Sequence, residues 1–477
     1  MTDFTDLLPT TEELVHLRAV AAGHTAPDLI VRGGLVQSPG TEEWLERDVL
    51  IAGRHIATLT PWNHVPTAGA EIDARGCHVV PGFIDTHLHV EYTNLTPGEL
   101  ARLSVARGTT TVLTDPNGAA NVWGARGMDL ALSTTTPLHV FQQVSPTTPT
   151  SFALERGGAV IEEEVVRARL HDDNTATLGE SNPFDYGELS TGRFREALVA
   201  GRRLTGHTAA QTHESLWGYL AAGISDDHNA STVAEVLERT RLGAMITVMG
   251  SSLADNTVPL FADLDAIEPA LRHLSFCADD KHALDLHTQG HIDHHVRQAI
   301  RFGVDPQLAY RMATTQPAHY YRLDQALGLL APSRLADLQV IRDLAEVRPE
   351  VVVVAGRIVA SDGVALFENT DVLPDWARDT VHLPEELPAD LLTVAAPADT
   401  TRVRVRAMEM YNGYFKREFT ASLPVVDGQV ASDPSQDVLK IAVVDRHRGE
   451  ALAGHGFVKG FGLSRGAIAI TMNCPNM

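Results

Sequence analysis

Residues 81–89 read Pro81-Gly82-Phe83-Ile84-Asp85-Thr86-His87-Leu88-His89, and this stretch decides how the rest of the chain is interpreted. An apolar run of this length bounded by Pro and Gly is typical of a buried strand. Because alternate side chains on a strand share a face, the imidazoles of His87 and His89 point the same way. Two neutral imidazoles side by side suit a divalent metal ion, although two histidines can also stand together by chance. The stretch favours a metal site at the carboxyl end of a strand.

The segment 81–324 alternates short apolar runs with helical patterns. Its candidate strands are 82–88, 109–114, 138–143, 175–179, 203–207, 221–225, 244–249 and 273–278, and its candidate helices are 97–107, 160–170, 231–242 and 292–302. Eight strands and intervening helices over about 240 residues match a (β/α)8 TIM-type barrel in number and length, so we predict an α/β fold of this type. In such barrels the active site lies at the carboxyl ends of the strands, where His87 and His89 stand.

The regions around this segment have a different texture. The β-rich pattern of DLIVRGGLV (28–36) returns in VVVVAGRIV (351–359), which predicts one sheet built from two distant parts of the chain. The chain stops at NCPNM directly after an apolar run, so we expect its last element to be incomplete. The predicted segments are an N-terminal helical segment (1–26), a composite β-domain (27–80 with 325–370), the barrel (81–324), a linker (371–400) and a C-terminal β-rich domain (401–477).

Composition narrows the functional class. Thirty-eight Lys and Arg residues against 61 Asp and Glu residues give a net charge of −23. A chain this acidic is a poor partner for nucleic-acid phosphates or anionic membrane surfaces. Cys77, Cys277 and Cys474 are far apart and odd in number, which indicates reduced thiols. With no stretch of about 18 apolar residues and early acidic residues instead of a signal peptide, we predict a cytoplasmic protein without nucleic-acid or membrane partners.

The stretch PGFIDTHLHVEYTNLTP (81–97) resembles the first barrel strand of the amidohydrolase superfamily of metal-dependent hydrolases. Within that superfamily the chain is similar to the adenine deaminases from about residue 27 onward, including RGTTTVLTDPNGAANV (107–122), FCADDKHALDLHTQGHID (276–293) and GVDPQLAYRMATTQPAHYY (303–321). The resemblance implies a hydrolase of carbon–nitrogen bonds other than peptide bonds, with a small purine-like heterocycle as substrate. It also implies two divalent metal ions (Mn, Fe or Zn) and a homo-oligomer.

Further candidate ligands stand at the ends of later predicted strands. Glu180 follows TATLG, His207 closes RLTGH, His228 follows AAGISDD, and Asp279 follows HLSFCA. Taken alone, Glu180 is equally well explained as a surface residue in a turn, and His207 and His228 are more often buried or surface histidines without a ligand role. The resemblance implies two metal ions. The first would be held by His87, His89 and Asp279, and the second by His207 and His228. Glu180 would bridge the two ions.

The same resemblance implies a mechanism. A metal ion lowers the pKa of bound water to about 7, so a hydroxide held between the two metals would attack the ring carbon. Asp279 would take the proton of the hydroxide and pass it to the leaving ammonia. Asp279 and Glu180 are therefore the expected catalytic residues.

Some positions depart from the adenine deaminase pattern. The usual Asp-Pro-His-Glu after the second strand is Asp-Pro-Asn117-Gly118 here, and the usual Asp-His-Glu after the sixth strand ends in Asn229. A His-containing motif near the end is replaced by residues 473–476. These changes predict a less charged pocket and a divergent paralogue whose ring need not be adenine. Candidate substrate contacts are Asn117 and Asn229, with Asp280 and His282 beside Asp279.

Other polar residues have weaker claims. His291, His294 and His295 are expected at the surface or as helix caps, and His139 is expected to serve packing. Lys281 is either a substrate contact or part of a solvated loop.

Two alternative functions stay open. One is a cyclic amide or imide hydrolase, which opens a ring without releasing ammonia, and the other is a catalytically silent binding protein. Glu180 in place of a bridging Lys argues against the first, and the intact ligand set argues against the second.

Overall fold

A computed structural model of the chain describes residues 2–38, 40–65, 67–146, 148–149, 155–181, 187–209, 211–411 and 415–470. It divides into two units, the first made of Met1–Ala119, Met128–Thr147 and Ile161–Val372, the second of Ala120–Gly127, Thr148–Val160 and Leu373–Met477. The altered tail motif at 473–476 lies outside the described residues. Within the described ranges, no helix is both long and apolar enough to cross a membrane.

The first unit begins with two short helices and a set of antiparallel and parallel strands. Its opening elements are α1 (Phe4–Leu7), α2 (Thr11–Ala21), β1 (Leu29–Gln37), β2 (Trp44–Ala52), β3 (His55–Pro61), β4 (Ala70–Asp73) and β5 (His78–Pro81). A capping box starts α2, because the Thr10 hydroxyl accepts from the Glu13 N–H while the Glu13 carboxylate accepts from the Thr10 N–H. Leu17 and Val20 of α2 are buried against β2 and β3.

The segment that carries the His-x-His stretch alternates strands and helices. Its strands are β6 (Phe83–Leu88), β7 (Thr109–Thr114), β8 (His139–Val144), β9 (Thr175–Ser181), β10 (Arg203–Gly206), β11 (Asp226–Asp227), β12 (Met245–Met249) and β13 (Leu274–Cys277). Its helices are α3 (Pro97–Val105), α4 (Asn117–Trp123), α5 (Ala125–Leu132), α6 (Glu163–Arg169), α7 (Glu188–Val199), α8 (His213–Ala221), α9 (Val233–Arg241), α10 (Thr257–Phe261), α11 (Leu264–Ile267), α12 (Ala283–Thr288), α13 (Ile292–Arg301), α14 (Pro306–Met312) and α15 (Thr315–Tyr321).

These eight strands pair in parallel as two sheets, β10-β9-β8-β7-β6 and β11-β12-β13. Every residue of β6, β7 and β12 is buried, as expected for parallel strands covered on both faces. An isolated parallel bridge joins Leu88, the last residue of β6, to Asp279, two residues after β13. The carboxyl ends of the first and eighth strands are therefore neighbours.

The sixth strand is shorter and later than predicted. The predicted run 221–225 is wrong, because Ala221 ends α8 and the strand is Asp226–Asp227. Alanines favour the helix, and Gly223, with a φ of 102°, provides the left-handed residue on which such a helix ends. The strand comes only after this turn, where Asp226 and Asp227 pair with Met245 and Ile246.

After α15 the chain returns to the first sheet. The added strands are β14 (Leu338–Ile341), β15 (Pro349–Val354), β16 (Arg357–Ser361) and β17 (Val364–Ala365). They extend it in the order β17-β16-β15-β14-β5-β1-β2-β3, with β4 paired to β1. His139, expected to serve packing, is buried at the start of β8 with its Nε2 2.8 Å from the Asp337 carboxylate.

The second unit is built on a five-stranded sheet. Its strands are β18 (Arg402–Tyr411), β19 (Phe415–Val426), β20 (Gln429–Val430), β21 (Val438–Val444) and β22 (Ala453–Lys459), in the order β20-β19-β18-β22-β21. Ala407, Leu423 and Phe457 lie in its small core. The segment expected to be a linker contributes to this unit, because Ala395 forms a bridge with Gln429.

Candidate active site

The six candidate ligands stand at the ends of five strands. His87 lies in β6 and His89 directly after it, Glu180 lies at the end of β9, and single residues follow β10, β11 and β13: His207, His228 and Asp279. The structure brings ligand atoms of two three-residue groups within 4.8 Å of one another, namely His87 with His89 and Asp279, and His87 with Glu180 and His228. His207 joins the second group through its Nδ1, 3.2 Å from Glu180 Oε2.

The two carboxylates are the centres of these groups. Asp279 Oδ1 lies 3.4 Å from His87 Nε2 and 3.5 Å from His89 Nε2. Glu180 Oε2 faces His207, and it also lies 3.2 Å from His228 Nε2 and 3.5 Å from His87 Nε2. Each carboxylate therefore meets imidazole nitrogens from different strands, which is the arrangement of a metal site built from neutral imidazoles and carboxylates.

Hydrogen bonds behind the first two histidines fix their tautomers. His89 Nδ1 lies 2.6 Å from the Asp115 carbonyl oxygen, which can only accept, so Nδ1 carries the proton. His87 Nδ1 lies 2.6 Å from Gln143 Oε1, and the same amide donates through Nε2 to the Thr86 carbonyl. Both Nε2 lone pairs are thereby directed at Asp279, as in metal-ligating histidines whose other nitrogen is held by an acceptor.

An unpartnered atom indicates what the site is built to hold. His87 Nε2 is completely buried and has no hydrogen-bond partner among the described residues. A buried polar nitrogen without a partner costs free energy unless something binds it. A cation held by either three-residue group would engage this lone pair together with a carboxylate, so the residues present fit a divalent metal.

The pKa values of the cluster also indicate that its carboxylates are matched to positive charge. Burial raises the pKa of Asp279, but the facing imidazoles of His87 and His89 outweigh burial and hold it well below the ordinary value. Burial likewise opposes the charge of Glu180, yet the charge and hydrogen bond of His207 keep its pKa far below the usual range. Burial lowers the pKa of His89, but Asp279 raises it to about 10. The carboxylates thus demand positive charge, which a metal ion supplies in place of protons.

The backbone at Asp279 is unusual. Its φ is +50°, in the left-handed region that L-residues with side chains seldom occupy. Asp and Asn tolerate this conformation better than other residues with side chains. Strain of this kind concentrates at functional sites, where it aims a side chain that regular structure would direct elsewhere.

The four candidate substrate contacts are placed differently. Asp280 and Asn229 are buried, and neither Asp280 Oδ1 nor either polar atom of the Asn229 amide has a hydrogen-bond partner among the described residues. Burial, reinforced by the charge of Asp279, raises the pKa of Asp280 to about 7. Asn117 is buried with its Nδ2 3.5 Å from Glu180 Oε1. His282 is half-buried at the start of α12, where its backbone N–H donates to Ser252.

The surface position expected for His295 is wrong, because it is buried with its Nδ1 donating to the His291 carbonyl. His291 holds the N-cap position of α13, one of its two expected roles, but it is buried with its Nε2 2.7 Å from Asp85 Oδ2. Lys281 is 1% exposed, which excludes the solvated-loop alternative, and its ammonium donates to the Gly250 carbonyl. These side chains are buried because α13 packs over β6 and β13, a tertiary contact that local sequence does not reveal.

Sequence reasoning also missed a buried ion pair that supports two ligands. Arg239 of α9 is 1% exposed, and its Nε lies 3.3 Å from Asp227 Oδ2. Asp227 accepts from the Thr208 and Ala230 N–H groups, and Arg239 donates to Thr208 as well. The pair therefore ties together the loops that carry His207 and His228. The sequence offers one signal for this burial. Arg239 lies three residues after the apolar Val236, so both side chains are on the same face of α9.

Replacing Arg239 with Met should lower the free energy of unfolding by about 3–5 kcal/mol, since it leaves Asp227 charged and buried without its partner. Metal content should fall too, because His207 and His228 lose their support. Urea unfolding and elemental analysis measure the two effects. The exposed Arg241→Met on the same helix is the matched control, and it should change stability by no more than about 0.5 kcal/mol. Equal effects of the two substitutions would contradict this role.

Comparisons with known proteins agree with this geometry. A model of the amidohydrolase family matches residues 78–359, and one of the adenine deaminase C-terminal domain matches residues 414–476. An adenine deaminase of Moorella thermoacetica is 36% identical, covering 98% of this chain and 79% of that protein. One from Paracoccus denitrificans is 35% identical over 98% of this chain and 80% of that protein.

Solved structures share the fold. The crystal structure of an adenosine deaminase from Xanthomonas campestris with bound zinc superimposes with a TM-score of 0.54 at 15% identity, covering 72% of this chain and 95% of that one. The family models and the adenine deaminases that are similar over nearly the whole chain confirm the resemblance noted from the sequence. The chain belongs to the amidohydrolase family, and within it to the family of the adenine deaminases.

Proposed function

We propose that this protein is a metal-dependent hydrolase that deaminates adenine or a closely related aminated heterocycle and releases ammonia. The observation that carries the proposal is the cluster of four imidazoles and two carboxylates at the strand ends, of which His207 and Glu180 are half-buried and the others buried. The relatives that are similar over nearly the whole chain are adenine deaminases. The protein thus belongs with hydrolases of carbon–nitrogen bonds other than peptide bonds.

The proposed scaffold is a closed (β/α)8 barrel. The parallel bridge between Leu88 and Asp279 supports closure on one side, and the hydrogen bond from the Ser225 N–H to the Leu204 carbonyl supports it on the other. In a closed barrel all eight carboxyl ends surround one mouth. A closed barrel would place the six candidate ligands and the buried Asp280 and Asn229 around the same reaction space.

We propose two divalent ions, one held by His87, His89 and Asp279 and the other by His207 and His228, with Glu180 between them. Such ions polarise the bond to be attacked and activate water at neutral pH. The donor set suits Mn, Fe or Zn, and we favour manganese on the resemblance alone.

Asp279 would act as the proton carrier. Its carboxylate lies 3.4–3.5 Å from the imidazoles of His87 and His89, at the centre of the first group, where it could take a proton from the attacking water. In the balanced reaction, water adds its oxygen to the ring carbon, the carbon–nitrogen bond to the amino group breaks, and ammonia leaves with the proton that Asp279 returns. Asp280 and Asn229, which present unpartnered polar atoms, would bind the ring.

Removing the metal should abolish deamination and lower the melting temperature, because the cation binds only the folded protein. Ammonia release from adenine and thermal denaturation, each measured before and after dialysis against a chelator, test this expectation. Mn, Fe and Zn added back singly should restore both signals to different extents. A chelated protein that still releases ammonia would refute the proposed chemistry.

A screen of aminated and cyclic heterocycles defines the substrate. Deamination of adenine at ordinary efficiency would show that Asn117 and Asn229 do not alter the ring that is bound. Ring opening without ammonia would indicate a cyclic amide hydrolase, and absence of metal would indicate a binding protein.

We further propose that the protein is a homo-oligomer and that the chain divides into the five segments given above. We also propose a cytoplasmic location, which is supported by the buried Cys77 and Cys277, neither of which forms a disulfide.

A further inference from the structure

Tyr92 and Asn117 form a hydrogen-bonded pair beside the cluster. Tyr92 lies in the 3-10 turn Val90–Thr93 directly after His89, and it is 3% exposed. Its hydroxyl lies 3.0 Å from Asn117 Oδ1, to which it donates. Because that bond engages the amide oxygen, the Asn117 amide group is left with its Nδ2 as the free donor. This nitrogen lies 3.5 Å from Glu180 Oε1.

The two oxygens of Glu180 consequently face different groups. Oε2 is close to the imidazoles of His87, His207 and His228, whereas Oε1 faces the Asn117 amide. A carboxylate held at one oxygen by an N–H donor presents the other oxygen in a fixed direction. Groups that orient a ligand in this way tune a metal site nearly as strongly as the ligands themselves.

Gly118 provides the space for this arrangement. A Cβ atom at position 118 would lie 2.6 Å from the Tyr92 hydroxyl and 2.7 Å from its ring carbon Cε1. Both distances are far below van der Waals contact, so any side chain at position 118 would displace the ring of Tyr92. Gly118, Asn117 and Tyr92 therefore work as a unit: the glycine admits the phenol, the phenol fixes the amide, and the amide faces Glu180.

We infer that Tyr92 and Asn117 are positioning residues for Glu180, which direct its Oε2 toward the three imidazoles, and that Gly118 permits their placement. The inference rests on the proposed function only in treating Glu180 as a metal ligand. Tyr92 also packs against His89, with ring centroids 5.0 Å apart, so its hydroxyl must be tested separately from its ring.

The test is a double-mutant cycle of Tyr92→Phe and Asn117→Ala, read by Mn²⁺ affinity in competition with a chelator. Each single variant should weaken Mn²⁺ binding about 10-fold, the usual scale for a residue that orients a metal ligand. Because Tyr92 acts through Asn117, the double variant should bind no more weakly than Asn117→Ala alone. Tyr310→Phe, which removes another buried phenol hydroxyl that donates to the Leu344 carbonyl, should leave Mn²⁺ affinity unchanged.

Two outcomes would overturn the inference. Tyr92→Phe could bind Mn²⁺ as tightly as the unmodified protein, or it could weaken binding equally with and without Asn117. These readouts do not depend on turnover. If the variants bind Mn²⁺ more weakly but the unmodified protein deaminates no heterocycle, the inference stands and the proposed function is refuted. If the unmodified protein is an active deaminase but the variants bind Mn²⁺ normally, the proposed function stands and the inference is refuted.

A second arm tests the space at position 118. Gly118→Ala should lower both the melting temperature and Mn²⁺ affinity, because Tyr92 is forced out. In a Tyr92→Ala background, which lacks the clashing ring, Gly118→Ala should lower the melting temperature by less than it does alone, while Mn²⁺ affinity should be low in every variant of this arm. An equal loss of melting temperature in both backgrounds, or unaltered Mn²⁺ affinity in the Tyr92→Ala protein, would overturn the arrangement.

Discussion

Asp279→Asn should reduce deamination of adenine by about 1,000-fold, within the range that general acid–base groups contribute. The amide is nearly identical in shape, but it can neither accept a proton from water nor supply charge to the imidazoles of His87 and His89. Asparagine also tolerates the left-handed backbone at this position, so the fold should persist. Ammonia release under saturating adenine gives the rate, and circular dichroism checks the fold.

Asp280→Asn is the informative comparison, since it removes a buried carboxylate one residue away that the imidazoles do not contact. It should retain metal and change the KM for adenine more than kcat. Turnover by Asp279→Asn at the unmodified rate would remove this residue from the mechanism. Equal metal loss in both variants would show instead that a general loss of negative charge causes the effect.

Glu180→Gln should lower deamination by more than about 100-fold, the upper range for a supporting residue of a metal site. Glu180 is the carboxylate that contacts both His207 and His228, and an uncharged amide cannot bridge two cations. Metal content should fall below two equivalents in elemental analysis.

Glu91→Gln is the matched control for this substitution. Glu91 is close in sequence to His89, but its Oε1 accepts from the Ala119 N–H and it belongs to neither three-residue group. It should keep the full metal content. A Glu180→Gln protein with two equivalents of metal and normal turnover would rule out the bridging role.

Strand-end residues were the part of the site that the sequence could predict. Strand periodicity and the barrel pattern placed His87 and His89, and the resemblance placed Glu180 and Asp279, all at carboxyl ends that the structure draws together. Their roles stay predictions. These residues are recognisable because each directly follows an apolar run, so a local signal marks the position.

The supporting residues could not be predicted in this way. Arg239 and Lys281 carry charges that local patterns assign to the surface, and only tertiary packing buries them. Gly118 resembles an ordinary turn glycine until the ring of Tyr92 is seen beside it. The position predicted for the sixth strand is wrong because this strand consists only of Asp226 and Asp227, which form no apolar run.

One imidazole belongs to both groups. His87 Nε2 lies within 3.5 Å of both Asp279 Oδ1 and Glu180 Oε2. Its single lone pair can ligate only one cation, so an ion held with His89 and Asp279 leaves His207, His228 and Glu180 to hold a second one. The two positions should therefore differ in affinity, and a chelator should remove one ion before the other.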